Sequence, residues 1–294
     1  MSKSLRLGRL RASLRRETCA IAATLSLLVA ACSASAAKGQ AASTSPESRH
    51  EARRAVPLAK IDPQYRDAVR EVLADPSLYR RLPTNVVDCH PELFTFLGQN
   101  PEVLVEIWRH LGVSQVELTR TGENTYTISD GAGTTGNLVV VEQNCDAAAQ
   151  NRIVMYAEGR YEGKPFKQPL AAKCVVVLRS GSMTETNGRT FVAARLDSFI
   201  KLDRMSVELV AKAVHPFIGQ TADRNFADTL AFVSNFSYTA ERRPEAIERM
   251  AGELDAVDQP RRQRLVKLAY AAADAGEQWR LARAGETDAE ISPR

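Results

Sequence analysis

Apolar positions along the chain change their period twice. Between Asp62 and Leu111 they recur at helical spacing: Tyr65, Val69, Val72 and Leu73 make one stripe, Leu93, Phe94 and Leu97 a second, and Val103, Leu104, Ile107, Trp108 and Leu111 a third. Asp62-Pro63 and Asn100-Pro101 each supply a capping side chain followed by a proline at the first helical position. The β-branched run from Thr84 to Cys89 interrupts this pattern and predicts a short strand.

From Val113 to Asp203 the period falls to two. Val116 and Leu118, then Tyr126 and Ile128, alternate with polar neighbours. Longer runs follow at Leu138–Val141, Ile153–Tyr161, Lys173–Leu178 and Thr190–Leu202. In the last of these, Val192, Ala194, Leu196, Ile200 and Leu202 share one face, while Phe191, Arg195, Asp197, Lys201 and Asp203 share the other. That alternation predicts a half-buried antiparallel strand whose charged face meets water, with Glu158, Arg160, Arg179, Glu185, Arg195 and Asp197 pairing across neighbouring strands. The connections are too short for crossover helices, so the strands should form a meander. Helical spacing returns at Met205, breaks at His215-Pro216, and resumes with Phe226, Leu230, Val233 and Phe236, with further helices after Pro244 and Pro260. The predicted class is α+β: a curved antiparallel sheet of about six strands on a long C-terminal helix, with extra N- and C-terminal helices.

This element order resembles the helix-grip, or START-like (SRPBCC), fold over roughly residues 80–240. The resemblance implies a cavity for an apolar ligand between the sheet and the long helix. Phe94, Trp108, Leu196, Phe217, Phe226 and Leu230 are the candidate lining. The helix break at Pro216–Gly219 departs from the uninterrupted C-terminal helix of that fold. Four further stretches resemble a family of exported planctomycete proteins, a likeness that implies no activity. They are Asn100-Pro101-Glu102-Val103, Ser129-Asp130-Gly131-Ala132-Gly133-Thr134, Tyr156-Ala157-Glu158-Gly159 with Tyr161-Glu162-Gly163, and Val177-Leu178-Arg179-Ser180-Gly181.

The N-terminus changes the picture of where the protein works. Lys3, Arg6, Arg9, Arg11, Arg15 and Arg16 precede an apolar run from Thr18 to Ala31 of about 14 residues, shorter than the roughly 20 of a spanning helix. Small residues follow, as in a secretory signal peptide. Val29-Ala30-Ala31-Cys32 resembles a lipobox, which would make Cys32 the lipidation site and the protein a membrane-anchored lipoprotein. Ala34-Ser35-Ala36 fits ordinary cleavage before Ala37. The expected organisation is a signal peptide over 1–36, a flexible linker over 37–56, a helix-grip-like domain over 57–243, a C-terminal helical extension over 244–284 and a disordered tail over 285–294. The protein is then expected in the periplasm or cell envelope. The formal charge of +4 belongs to the leader, because the remaining chain carries 33 basic and 34 acidic residues. Nothing in that balance favours nucleic acid as a partner.

Beyond the leader the cysteines are Cys89, Cys145 and Cys174, and Cys89 with Cys174 is the candidate disulfide for an oxidising compartment. No Cys or His spacing predicts a metal or cofactor; Asp88, His90 and Glu92 read as a polar cap at a strand-to-helix corner. Asp130-Gly131-Ala132-Gly133 precedes a strand and reads as a hairpin turn, and no residue set marks a catalytic centre. Three functions follow: a binding module for an apolar small molecule or lipid, a structural or interaction protein of the cell envelope without a ligand cavity, and a cyclase- or hydrolase-type enzyme.

Overall fold

The computed structural model describes residues 42–145, 150–163, 169–203 and 215–291, with side chains at 215–221 and 285–291 outside that description. Its strands are β1 (Leu78–Arg81), β2 (Asn85–Val87), β3 (Glu117–Arg120), β4 (Thr125–Ser129), β5 (Thr134–Asn144), β6 (Asn151–Tyr161), β7 (Leu170–Thr184) and β8 (Thr190–Leu202). The helices are α1 (Pro46–Arg54), α2 (Pro63–Ala74), α3 (Pro91–Gln99), α4 (Pro101–His110), α5 (His215–Arg242), α6 (Pro244–Gly252) and α7 (Gln259–Ile291).

All eight strands join one antiparallel sheet of α+β class. From β3 to β8 each strand pairs with the next in sequence, as the short connections require. β1 and β2 then lie end to end along the free edge of β8, opposite Asp197–Ile200 and Val192–Ala194 respectively. β1 is an addition to the expected strands, since its tetrapeptide reads as a turn when taken alone. Asp130 closes the β4–β5 hairpin: its Oδ1 accepts the backbone N–H groups of Ala132 and Thr134, both at 2.8 Å. Gly133 there sits at φ 117°, a conformation that other residues rarely adopt.

Helices cover both faces. α3, α4, α5, α6 and α7 pack on one, in a core that runs from Leu93 and Phe94 through Phe226 and Leu230 to Leu265 and Leu268. The other face carries α1 and α2. Val69, Val72 and Leu73 of α2 meet Tyr79, Val154, Tyr156, Val175, Val177 and Phe199 of the sheet. This second layer corrects two expectations. The stretch 37–56, expected to be a flexible linker, contains α1; Ser45 caps it by accepting the Ser48 N–H at 3.1 Å, and Ala52 is fully buried. The face of β8 carrying Arg195 and Asp197, expected to be solvated, is roofed by that helix.

Asp197 is wholly buried there. Its carboxylate accepts from the Tyr79 hydroxyl at 2.8 Å, from Arg81 Nε at 2.7 Å and from Arg179 Nη2 at 2.9 Å. Glu51 of α1 receives Arg81 at 2.6 Å, Arg195 at 2.9 Å and Arg179 at 3.3 Å. A helix with one buried apolar residue is thus held to the sheet by charge, which is why hydrophobic spacing does not reveal it.

Two further boundaries move. α5 runs unbroken from His215, so Pro216 lies in its first turn, where the missing N–H is harmless, and interrupts nothing. The segment 205–214, expected to be helical, lies outside the described residues, as do Cys32 and the whole leader. α7 continues to Ile291, through most of the stretch expected to be a disordered tail.

Cys89 and Cys174 are free, buried thiols, and Cys145 is also free. Val87, two residues before Cys89, pairs with Val192, whereas Cys174 pairs with Ile200. Eight residues of β8 separate those positions, about 26 Å, and a disulfide needs Cα atoms within about 7 Å. A reducing agent is therefore expected to leave the melting temperature unchanged, checked by thermal denaturation with and without dithiothreitol. Reduction of a Cys89–Cys174 bond worth about 2–4 kcal/mol would instead lower the midpoint by several degrees.

Candidate functional site

The two faces of the central strands are closed unequally. Toward α1 and α2, Val154, Val175, Val177 and Phe199 are wholly buried. Toward α3–α7, on the same three strands, Met155, Ala157, Val176, Leu178 and Leu196 are only half-buried. Half-exposed apolar side chains belong at the rim of a sheet. Here they lie at its centre, on strands flanked on both sides, among fully buried neighbours such as Ile153, Cys174 and Ile200. These side chains lie where three apolar clusters meet: Leu178 and Phe232 pack against two of them, and Ala157 packs against a third.

Register places the residues of this face in rows across the sheet. One row reads Arg80, Ser198, Val176, Met155 and Val140, from the β1 edge to β5. The next reads Leu78, Ile200, Cys174, Ala157 and Leu138. Ser198 interrupts the apolar face of β8 between Leu196 and Ile200; its hydroxyl oxygen is buried without a hydrogen-bond partner. Burial pushes the neighbouring Cys174 thiol up to about 12, against a smaller opposing pull from the Ser198 hydroxyl. At the end of the row, the Arg80 guanidinium crosses to α5 and grips the Asp223 carboxylate through two N–H groups, Nε at 2.7 Å. Both side chains are about one-quarter exposed.

The expected lining residues divide. Leu196 is half-buried and packs against the core around α5. Phe94, Phe226 and Leu230 are buried in the core around α5, and Trp108 sits in another cluster, edge-on to Phe232 at 5.9 Å. The Phe217 side chain is outside the described residues. The large aromatic residues fill the core, while the smaller Ala157 and Val176 are half-buried. Between Val192 and Leu202, Ser198 is the one hydroxyl on an otherwise apolar face.

A separate cleft of about 180 Å³ lies between the β7–β8 turn, the start of α3, α5 and α7. Arg189 holds Asp88 with two hydrogen bonds, at 3.0 and 3.1 Å, reaches Glu241 at 2.8 Å and stacks over Trp279 at 5.0 Å. Burial pushes the Cys89 thiol up to about 12 and depresses the His90 imidazole, so both are neutral near pH 7. The Ser237 hydroxyl is occupied by the His90 backbone N–H at 3.0 Å. No nucleophile here is paired with a base. Asp88 and Glu92 point to different arginines, Arg189 and Arg264. Among the described residues no group of three or more His, Cys, Asp or Glu could hold a metal ion. The cleft is a lock of ion pairs between elements.

No described helix is long and apolar enough to cross a membrane. No family model matches the sequence, and no curated protein matches it. Among solved structures the chain is similar to a conserved protein from Geobacillus kaustophilus, with 13% identity over 52% of this chain and 90% of that one, at a TM-score of 0.33.

Proposed function

We propose that the chain is a non-catalytic binding module of helix-grip type that holds an apolar small molecule or lipid between its sheet and its C-terminal helices. The observation that carries this reading is the half-burial of Met155, Ala157, Val176, Leu178 and Leu196 at the centre of a sheet whose opposite face is sealed. Apolar surface left open inside a folded domain costs roughly 25 cal/mol per Å² relative to covering it. An apolar ligand recovers that free energy. The leader's composition supports export, and with it a role in the cell envelope, anchored through Cys32 or released.

The test is direct. Purified protein is titrated with the neutral probe N-phenyl-1-naphthylamine, and the protein as isolated is analysed by native mass spectrometry for co-purifying apolar molecules. Saturable probe fluorescence at one site, lowered by any co-purified ligand, is expected. Absence of both signals overturns the reading.

A further inference from the structure

We infer that the sheet carries, beyond α1, a docking surface for the chain's own leader: in the uncleaved protein the apolar run 18–31 folds back over the corner made by Val86, Gly181, Met183, Phe191 and Ala193. Register joins these residues into one block. Val86 pairs with Ala193, Ala193 with Gly181, and Phe191 with Met183, across β2, β8 and β7. The adjacent pair Val87 and Val192 is buried on the opposite face, so the block shares the face of Arg195 and Asp197. On that face the roof reaches as far as Glu51, whose partners Arg179 and Arg195 form the next row. Past that row Val86 is 61% exposed and Met183 48%, with Phe191 and Ala193 half-buried. Contiguous apolar surface left open in this way marks an interaction site.

The backbone points the leader at this corner. Ser43 and Arg81 exchange two N–H···O bonds, at 2.9 and 2.8 Å, as an antiparallel bridge. Antiparallel partners advance in opposite senses, so the chain leaving Ser43 toward its N-terminus heads in the direction of Arg81 to Val86. Arg81 lies opposite Asp197 and Val86 opposite Ala193, a distance of about 13 Å along β8, and Phe191 is reached at about 20 Å. Residues 29–42 extend to about 46 Å, so the apolar run arrives with slack. Its chemistry matches: Ile21, Leu25, Leu27, Leu28 and Val29 are apolar, and the small residues at 30–37 let the connecting chain pass close to the sheet edge. Run and corner are two apolar surfaces that water would otherwise meet, and burying one on the other is favourable. Cleavage of the leader uncovers the corner.

The test uses the full chain, whose leader carries two native thiols, Cys19 and Cys32. Met183→Cys adds a thiol at the corner, and Thr119→Cys adds one at an exposed position on β3, the opposite edge of the sheet. Each variant, at micromolar concentration, is treated with a short bismaleimide, and the linked peptides are identified by mass spectrometry. Links within one chain from position 183 to Cys19 or Cys32 should form about tenfold faster than links from position 119, the gain of holding both thiols at one place. Leu25→Asp combined with Leu28→Asp should lower the rate at 183 to the rate at 119. Equal rates at the two positions, or a rate at 183 that the two aspartates leave unchanged, overturn the inference. So do links from 183 between separate chains, which give the corner to a second copy.

Discussion

Replacing Asp197 with alanine is expected to destabilise the protein by about 3–5 kcal/mol, the cost of removing one partner from a buried, hydrogen-bonded charge pair. Asp197 has no solvent exposure and accepts from Tyr79, Arg81 and Arg179 together. Its loss leaves two guanidinium groups, each with a side chain about one-tenth exposed, to share Glu51 alone. Glu51 is half-exposed and cannot replace a carboxylate beneath the helix. The urea midpoint measures the effect. A loss under about 1 kcal/mol, the scale of surface ion pairs, would mean that water reaches the cluster and that α1 does not seal it.

The same cluster gives α1 a pH dependence. The Arg81 hydrogen bond, reinforced by the charges of Arg195 and Arg179, holds the Glu51 carboxyl below its ordinary value of 4.5. A carboxyl depressed in the folded state contributes stability that is complete above the unfolded pKa and is lost as pH falls through the folded one. Attachment of α1 should therefore weaken below about pH 4.5 and stay constant above it, read from amide exchange at Ala52. Solvent screening at half-exposed Glu51 keeps this contribution well under that of Asp197.

These residues also mark how far the sequence could be read. The alternation of β8 assigns every side chain from Val192 to Leu202 to its observed face, because a period of two admits no other arrangement in a strand. It does not say what covers each face. Asp197 looked solvated because its cover, α1, lies over 140 residues upstream and is anchored by Glu51 rather than by an apolar stripe. The Ser45-Pro46 cap was nonetheless present, of the same kind as Asp62-Pro63, whereas the Asn100 side chain caps nothing and turns instead to the Phe96 carbonyl and Arg261. A meander was legible because each of its contacts joins neighbouring strands. The pairing of β1 with β8 was not, since it depends on a partner about 120 residues away. The expected lining residues show a different limit. Choosing Phe94, Trp108, Phe226 and Leu230 selected the side chains best able to fill a core. Small apolar residues in a strand look alike whether they face a void or a neighbour.

The binding reading gives a sharp contrast between two substitutions on one strand. Ala157 of β6 faces the helix layer between Leu138 and Cys174, whereas Val154, three residues earlier, faces α2 and is wholly buried. Inserting a tryptophan into a packed core forces side chains off their rotamers and costs about 1–3 kcal/mol or more. Val154→Trp should meet or exceed that cost. If the layer over Ala157 holds a ligand, Ala157→Trp should cost under about 1 kcal/mol, because the indole takes the ligand's volume and the apolar area it buries offsets the remaining strain. The same substitution should abolish N-phenyl-1-naphthylamine binding, since ring and probe compete for one volume. Urea unfolding and probe titration on the two variants decide the matter together. Equal destabilisation at both positions would show that the layer between the sheet and α3–α7 is as solid as the layer beneath α2, and a solid layer has no room for a ligand.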